Sequence, residues 1–228
     1  MEMKKYFIIL IFNIIFLNDI SEYKVSLYKI PMANVTISYE QSMFSNKEVI
    51  KLNFETQTNK FASNIFKVDN HYETIIEKNT FNILSFKKTT YQPGLVNEIK
   101  TINKNNNTVY VNTDTIIPEN YFNIFSLLYY LTITPFKEVK PIIQLEREGL
   151  SYNCIIKKIE YDNQYEYELI FKLITKDQLP IIENTDMFTW AIFKKNADKK
   201  IIVNKNTNKI KSCEFIFGLT KLTAYLDI

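Results

Sequence analysis

Side chains able to run acid–base chemistry are few in this chain. His71 is the only histidine among 228 residues, with Asp69 and Glu73 close by. As the base of a Ser-His-Asp triad it would take Ser63 or Ser85 as nucleophile. Neither serine stands in a nucleophile elbow, and Asp69-Asn70 reads as a turn, so His71 is expected as a partly exposed turn residue. A lone histidine also falls short of the two or three found in common zinc sites. Two carboxylate pairs, Glu146 with Glu148 and Glu166 with Glu168, have the spacing of neighbours on one strand face. Such pairs carry glycoside hydrolysis. Any solvated strand face shows the same spacing, which is the expectation for both. Gly94, Gly149 and Gly218 are the only glycines, too few for a phosphate-cradling loop. The reading is therefore non-enzymatic, with no catalytic residue, metal or cofactor assigned; an extracytoplasmic hydrolase is the distant alternative.

Cys154 and Cys213 form no Cys-x-x-Cys redox motif and lie in strand-like segments with apolar neighbours. Two unpaired or half-buried thiols are expected. The aromatics, fifteen Tyr and seventeen Phe, are many for this length. Phe122, Phe125, Tyr129, Tyr130 and Trp190 are the candidates for lining an apolar ligand pocket, a few polar groups on a mostly apolar wall. The plainer role for the same rings is core filling, since aromatics bury the most area per side chain.

Charge narrows the partners. The balance of 28 basic against 25 acidic side chains is interspersed along the chain and leaves only +3. A nucleic-acid binder would show a basic face or stripe. The one basic cluster, Lys194, Lys195, Lys199 and Lys200, reads as a solvated loop between strands.

The elements that must position these residues are strands. Tyr23, Val25 and Leu27 alternate with polar neighbours, as do Val35, Ile37 and Tyr39, then Ile50, Leu52 and Phe54, and later Tyr165, Tyr167, Leu169 and Phe171. Period two gives each segment one buried and one wetter face, the mark of antiparallel sheet. Ser45-Asn46, Asp69-Asn70, Glu77-Lys78-Asn79, Lys104 to Asn107, Asp162-Asn163 and Lys205 to Asn208 punctuate them as turns. About a dozen strands joined mainly by hairpins follow. One segment breaks the period. From Pro118 to Leu131, Tyr121, Ile124, Phe125, Leu128 and Leu131 recur at helical spacing. Pro118 suits a first turn, Asp114 or Thr115 a cap, and Pro135 forces the end. The expected fold is mainly β: a strongly curved antiparallel sheet, clam- or half-barrel-like, with this single helix packed on its concave face.

The chain opens on MEMKK and an apolar run of about a dozen residues, the pattern of a secretory signal peptide. A membrane span needs ~20 apolar residues, and Asn13 and Asn18 interrupt this one. Residues 1–20 are assigned as signal peptide, cleaved between Asn18 and Glu22, and residues 21–228 as one β domain. An uncleaved membrane anchor is the alternative. No cysteine follows the run for lipoprotein processing.

Three stretches resemble the exported bacterial family known as domain of unknown function 3108. Phe66 to Thr80 is similar to its strand and turn followed by Tyr-Glu-x-x-x-Asp/Glu and Thr. Asn123 to Leu131 is similar to its Asp-x-Leu-Ser-x-x-Tyr-x-Leu-Arg helix, with Thr132 in place of the arginine. Met187 to Trp190, Asp198 to Val203 and Lys209 to Leu226 resemble its closing strands, with Ile202 where proline is common and extra residues before Asp198. The resemblance implies an exported protein of the periplasm or cell envelope, a clam-like sheet with helical cover, and no assigned activity. The expected role is binding of a lipid, another apolar or amphiphilic ligand, or an envelope protein. The alternative is a structural or assembly protein with a filled core.

Overall fold

The computed structural model describes residues 19–105, 107–174 and 178–227. Residues 1–18 of the expected leader lie outside them, whereas Asp19 to Glu22, across which cleavage is expected, already belong to the sheet. Fourteen strands pair in one antiparallel sheet. The first half holds β1 (Asp19–Leu27), β2 (Ile30–Phe44), β3 (Lys47–Thr58), β4 (Asp69–Glu77), β5 (Ile83–Gln92), β6 (Leu95–Lys104), β7 (Asn107–Tyr110) and β8 (Ile116–Ile117). The second holds β9 (Ile142–Arg147), β10 (Leu150–Glu160), β11 (Gln164–Leu173), β12 (Asp198–Asn204), β13 (Ile210–Phe217) and β14 (Thr220–Leu226). Three short helices, α1 (Lys60–Ser63), α2 (Ile124–Ile133) and α3 (Met187–Phe193), interrupt them.

Each half is a meander of neighbouring strands, and β1 joins them by pairing with β14, Val25 opposite Ala224. The curvature goes further than a half-barrel. Between β8 and α2, the Phe122 N–H donates to the Gln144 carbonyl at 2.9 Å, and its own carbonyl accepts from the Glu146 N–H at 2.7 Å. That bridge ties the first half of the chain to β9, so the sheet nearly closes into a barrel. Where the alternation falters, a bulge accounts for it. Pairing of β1 with β2 shifts between Val25 and Ser26, and Ser26 is buried where Leu27 was expected.

Helix α2 starts later than its sequence spacing predicts. Pro118 and Tyr121 lie outside it, and Asn123 is the cap. The Asn123 side chain accepts from the Ser126 N–H, and the Ser126 hydroxyl accepts from the Asn123 N–H, a reciprocal capping box. The end before Pro135 is as expected. Seven of its ten residues are buried, on every face, because α2 runs through the barrel interior instead of lying on it. Helix α1 has no counterpart in the sequence reading, and α3 replaces the closing strand expected at Met187 to Trp190; both are too short to show a period.

The tips divide between two ends. One end carries the β1–β2, β5–β6, β9–β10 and β13–β14 turns, together with α1 between β3 and β4 and α3 between β11 and β12. Helix α3 caps this end. Phe188 packs against Tyr72 and Phe125, Phe193 against Tyr152 and Phe171, and the Met187 N–H donates to Gln92 at the tip of β5. The last turn of α2 points to the opposite end. No helix among the described residues is long and apolar enough to cross a membrane.

Candidate functional site

Four of the five aromatic candidates belong to one interior cluster. Phe125 is its centre, with ring centroids 4.6 Å from Phe54, 4.8 Å from Tyr72 and 6.0 Å from Phe188. Phe122 and Tyr130 pack on Phe81 and on each other, and the Tyr130 hydroxyl accepts from the Lys140 N–H. Phe122, Phe125 and Tyr130 are buried and fill the barrel. Tyr129, half-buried, packs with its ring tilted 4.9 Å from Tyr39 and faces out toward the end opposite α3. Trp190 stands apart from the other four, exposed on the outer side of α3 with the Lys194 ammonium 4.9 Å from its ring.

At the end reached by Tyr129 a groove of about 440 Å³ opens beside the last turn of α2. Tyr23, Tyr39, Tyr129, Ile50, Ile133 and Ile210 form its apolar walls, while Asp19 and Lys209, paired at 2.7 Å, stand among its polar lining. The hydroxyl of Tyr23 donates to the Ile210 carbonyl at 3.0 Å. Burial pushes the Tyr39 and Tyr129 hydroxyls up, so both stay neutral donors. A wider hollow of about 490 Å³ lies against the β10–β11 turn, but its lining from Glu160 to Gln164 is a polar turn without an apolar floor.

The carboxylate pairs resolve differently. Glu146 and Glu148 do not share a solvated strand face. Glu148 has left the strand for the β9–β10 turn at φ 51°, and both residues are buried. Glu148 receives the ammonium of Lys88, which also lies 2.6 Å from Asp186 Oδ2. Lys88 is 1% exposed and Asp186 0%. Asp186 Oδ1 accepts from the Tyr72 hydroxyl at 2.7 Å and caps α3 through the Thr189 N–H at 2.9 Å. The Thr185 hydroxyl donates to Glu148 at 2.8 Å, and Arg147 approaches its other oxygen at 3.4 Å. Burial alone would raise the Asp186 carboxyl, but Lys88 and Thr189 hold it below the usual aspartate range. Next to this balanced set, Glu146 accepts from the Gly149 N–H at 2.6 Å and keeps both oxygens 2.7 Å from the Tyr110 hydroxyl. Burial pushes Glu146 up to about 7, against the pull of Gly149 and Tyr110. The charged core of the network, Lys88, Glu146, Glu148 and Asp186, is buried. Its effect is to fasten α3 and the β9–β10 turn to β5.

The remaining candidates sit apart. Glu166 is buried against Lys200 at 2.9 Å, and Glu168 pairs with Lys157 at 3.4 Å. His71 is partly exposed, but within β4 and not in a turn, because Asp69-Asn70 begins that strand. Its ring nitrogens face Asp69 at 2.9 Å and Glu55 at 3.7 Å. Ser63 ends α1, its hydroxyl donating to the Lys60 carbonyl, and Ser85 lies opposite Ile75, so neither adjoins the imidazole. Lys199 departs from the expected solvated loop. It turns inward, donating to the Lys194 and Ala197 carbonyls over the Phe171 ring, and burial lowers its pKa. Cys154 is buried and Cys213 half-buried, and both are free thiols. Sequence reasoning missed Lys88 and Asp186, the two most enclosed charges.

The fold and these sites define a nearly closed antiparallel barrel, plugged by its own helix and open as a groove at one end. Residues 22–142, more than half of the chain, match the family described as "Protein of unknown function (DUF3108)". The chain belongs to that family. The match takes in the first two stretches that suggested it, and the closing strands fall beyond it. No curated protein matches the chain. Among solved structures it is similar to a beta-barrel-like protein of domain of unknown function DUF1849 from Brucella abortus. That likeness has 9% identity, covers 91% of this chain and 95% of the other, and has a TM-score of 0.49.

Proposed function

We propose that this protein is a non-enzymatic binding protein of the bacterial cell envelope that holds a small amphiphilic molecule in the groove beside the last turn of α2. The groove carries this reading. Its volume falls within the usual range for small-molecule sites, and its tyrosine and isoleucine walls meet charged residues as an amphiphile requires. The apolar leader supports export. Native mass spectrometry of the protein from an envelope fraction, followed by organic extraction, tests the reading. A bound amphiphile whose occupancy drops in Tyr129→Ala and Ile133→Asp is the expected result. A clean apo mass after incubation with envelope lipids would overturn it.

The filled interior supports a second reading, an assembly role without a small ligand. Phe125 is buried and surrounded by the rings of Phe54, Tyr72, Phe86 and Phe188. Under that reading neither the parent nor the groove variants would carry mass beyond the protein's own, while Phe125→Ala would cost about 3–5 kcal/mol of stability.

A further inference from the structure

The end capped by α3 exposes large apolar side chains on successive tips. Leu219 on the β13–β14 turn is 92% exposed, and Ile65 and Phe61 around α1 are 73% and 63% exposed. Tyr28 and Ile30 on the β1–β2 turn and Trp190 on α3 stand out beside them. Tyr28 and Lys29 form that turn with φ of 50° and 71°, a two-residue hairpin without glycine that presents both side chains to solvent. The tips gather at one end of the barrel, and the β1–β2 and β13–β14 tips adjoin, the Tyr28 hydroxyl donating to the Leu219 carbonyl.

Lysines accompany each group. Lys29 follows Tyr28, Lys60 opens α1 and Lys67 lies beyond its end, and Lys194 and Lys195 follow α3. Among the described residues none of the five has a carboxylate within salt-bridge distance. At the opposite end several turn lysines are paired, Lys47 with Glu77, Lys78 with Glu48, Lys205 with Glu160 and Lys209 with Asp19, while Lys137 and Lys140 after α2 have no carboxylate within salt-bridge distance among the described residues. Asp114, Glu183 and Asp198 are exposed carboxylates toward the capped end, Asp114 3.8 Å from Lys104, while Asp69 is held by His71 and Gln57. Lys194 lies 4.9 Å from both the Trp190 and Phe217 rings, its stem along apolar surface and its charge at the rim.

We propose that this end of the barrel is a docking face for an anionic lipid bilayer, its apolar tips entering the headgroup layer while the five unpaired lysines meet lipid phosphates. Charge complementarity selects the occupant. Aromatic and aliphatic tips accompanied by lysines that no carboxylate neutralises suit a soft, negatively charged surface. Tryptophan and tyrosine are the rings that favour the interfacial layer. The barrel would then stand on the membrane with its groove facing the aqueous side.

Flotation of the purified protein with vesicles of phosphatidylcholine, and of an equal mixture with phosphatidylglycerol, tests this. The protein should float with the mixed vesicles and be released by salt. Lys29→Ser, Lys60→Ser and Lys67→Ser together should lower partitioning on the order of a hundredfold. Leu219→Asp with Ile65→Asp should abolish it. These sites are exposed, so melting curves of the variants should match the parent. Variants and parent share the same leader, so their difference reports this face alone. A parent that stays with the aqueous phase, or tip variants that float as well as the parent, would overturn the proposal. Tyr129→Ala at the other end should leave flotation unchanged, which separates this test from that of the groove.

Discussion

Glu146 couples stability to pH, and the size of the coupling follows from its surroundings. It is enclosed beside Tyr110, with burial the dominant influence, and its carboxyl is pushed up from 4.5 to about 7. The neutral form is well served. A protonated Glu146 can donate to the Tyr110 hydroxyl oxygen while still accepting from the Gly149 N–H. A carboxyl whose folded pKa lies above its unfolded value binds more protons folded than unfolded between the two. Its contribution is therefore complete below the unfolded pKa and is lost as pH rises through the folded one. At 1.36 kcal/mol per pH unit the whole gap is about 3 kcal/mol, of which about 2.5 kcal/mol falls between about pH 5 and about pH 8. Glu146→Gln keeps the shape and an acceptor for Gly149 but cannot ionise. Urea denaturation of parent and variant across that range isolates Glu146, because every other titrating group is common to both. Asp186, held below its usual range, acts in the opposite sense, and its share is lost as pH falls through its folded pKa at the acid end. The variant should gain about 2.5 kcal/mol on the parent from the acid to the alkaline limit. A constant difference across the range would refute the reasoning.

Lys88→Met should cost about 3–5 kcal/mol, because it strands Glu148 and Asp186 as buried charges. Adding Glu148→Gln and Asp186→Asn should restore part of that loss in the same urea titration. Gly149→Ala should cost about 2–4 kcal/mol by thermal melting, since φ is +87° and the new Cβ would sit 2.9 Å from Ile181 Cγ2.

The strands were legible because their signal is local. Val35 and Ile37, or Leu52 and Phe54, show their buried face in their own spacing, and Ser45-Asn46 shows its hairpin by residue type. What was lost depends on distant contacts. The Asp69-Asn70 pair has turn-forming residues, but pairing with Gln57 and Thr56 on one side and Tyr91 and Thr90 on the other draws it into β4. Asn70 is buried there, donating to the Tyr72 hydroxyl and accepting from the Tyr91 N–H, so its polar side chain is satisfied inside the sheet. Pro118 looked like a helix start, yet the residues after it are needed to bridge to β9, and α2 can begin only once Phe122 has made that contact.

The buried charges show the same division. Lys87 and Lys88 are indistinguishable by type, but the pleat separates them. Phe86, Lys88 and Thr90 share the inward face, while Lys87 points out toward Glu98. Parity with Phe86 was therefore a readable sign that Lys88 enters the barrel, and an inward lysine demands a buried carboxylate. Which carboxylate answers it was not readable, since Asp186 lies about a hundred residues away and Glu148 sits on a turn. The one local trace was the Asp186-to-Thr189 spacing, an N-cap pattern that marks the start of α3. A carboxylate that caps a helix and neutralises a lysine on the opposite wall fixes where that helix sits. Through Asp186 the ion pair sets α3 across the barrel mouth, and with it the outward aim of Trp190 and Lys194. The enclosed network and the exposed rim are thus two faces of one short helix, and loosening the first should disorder the second.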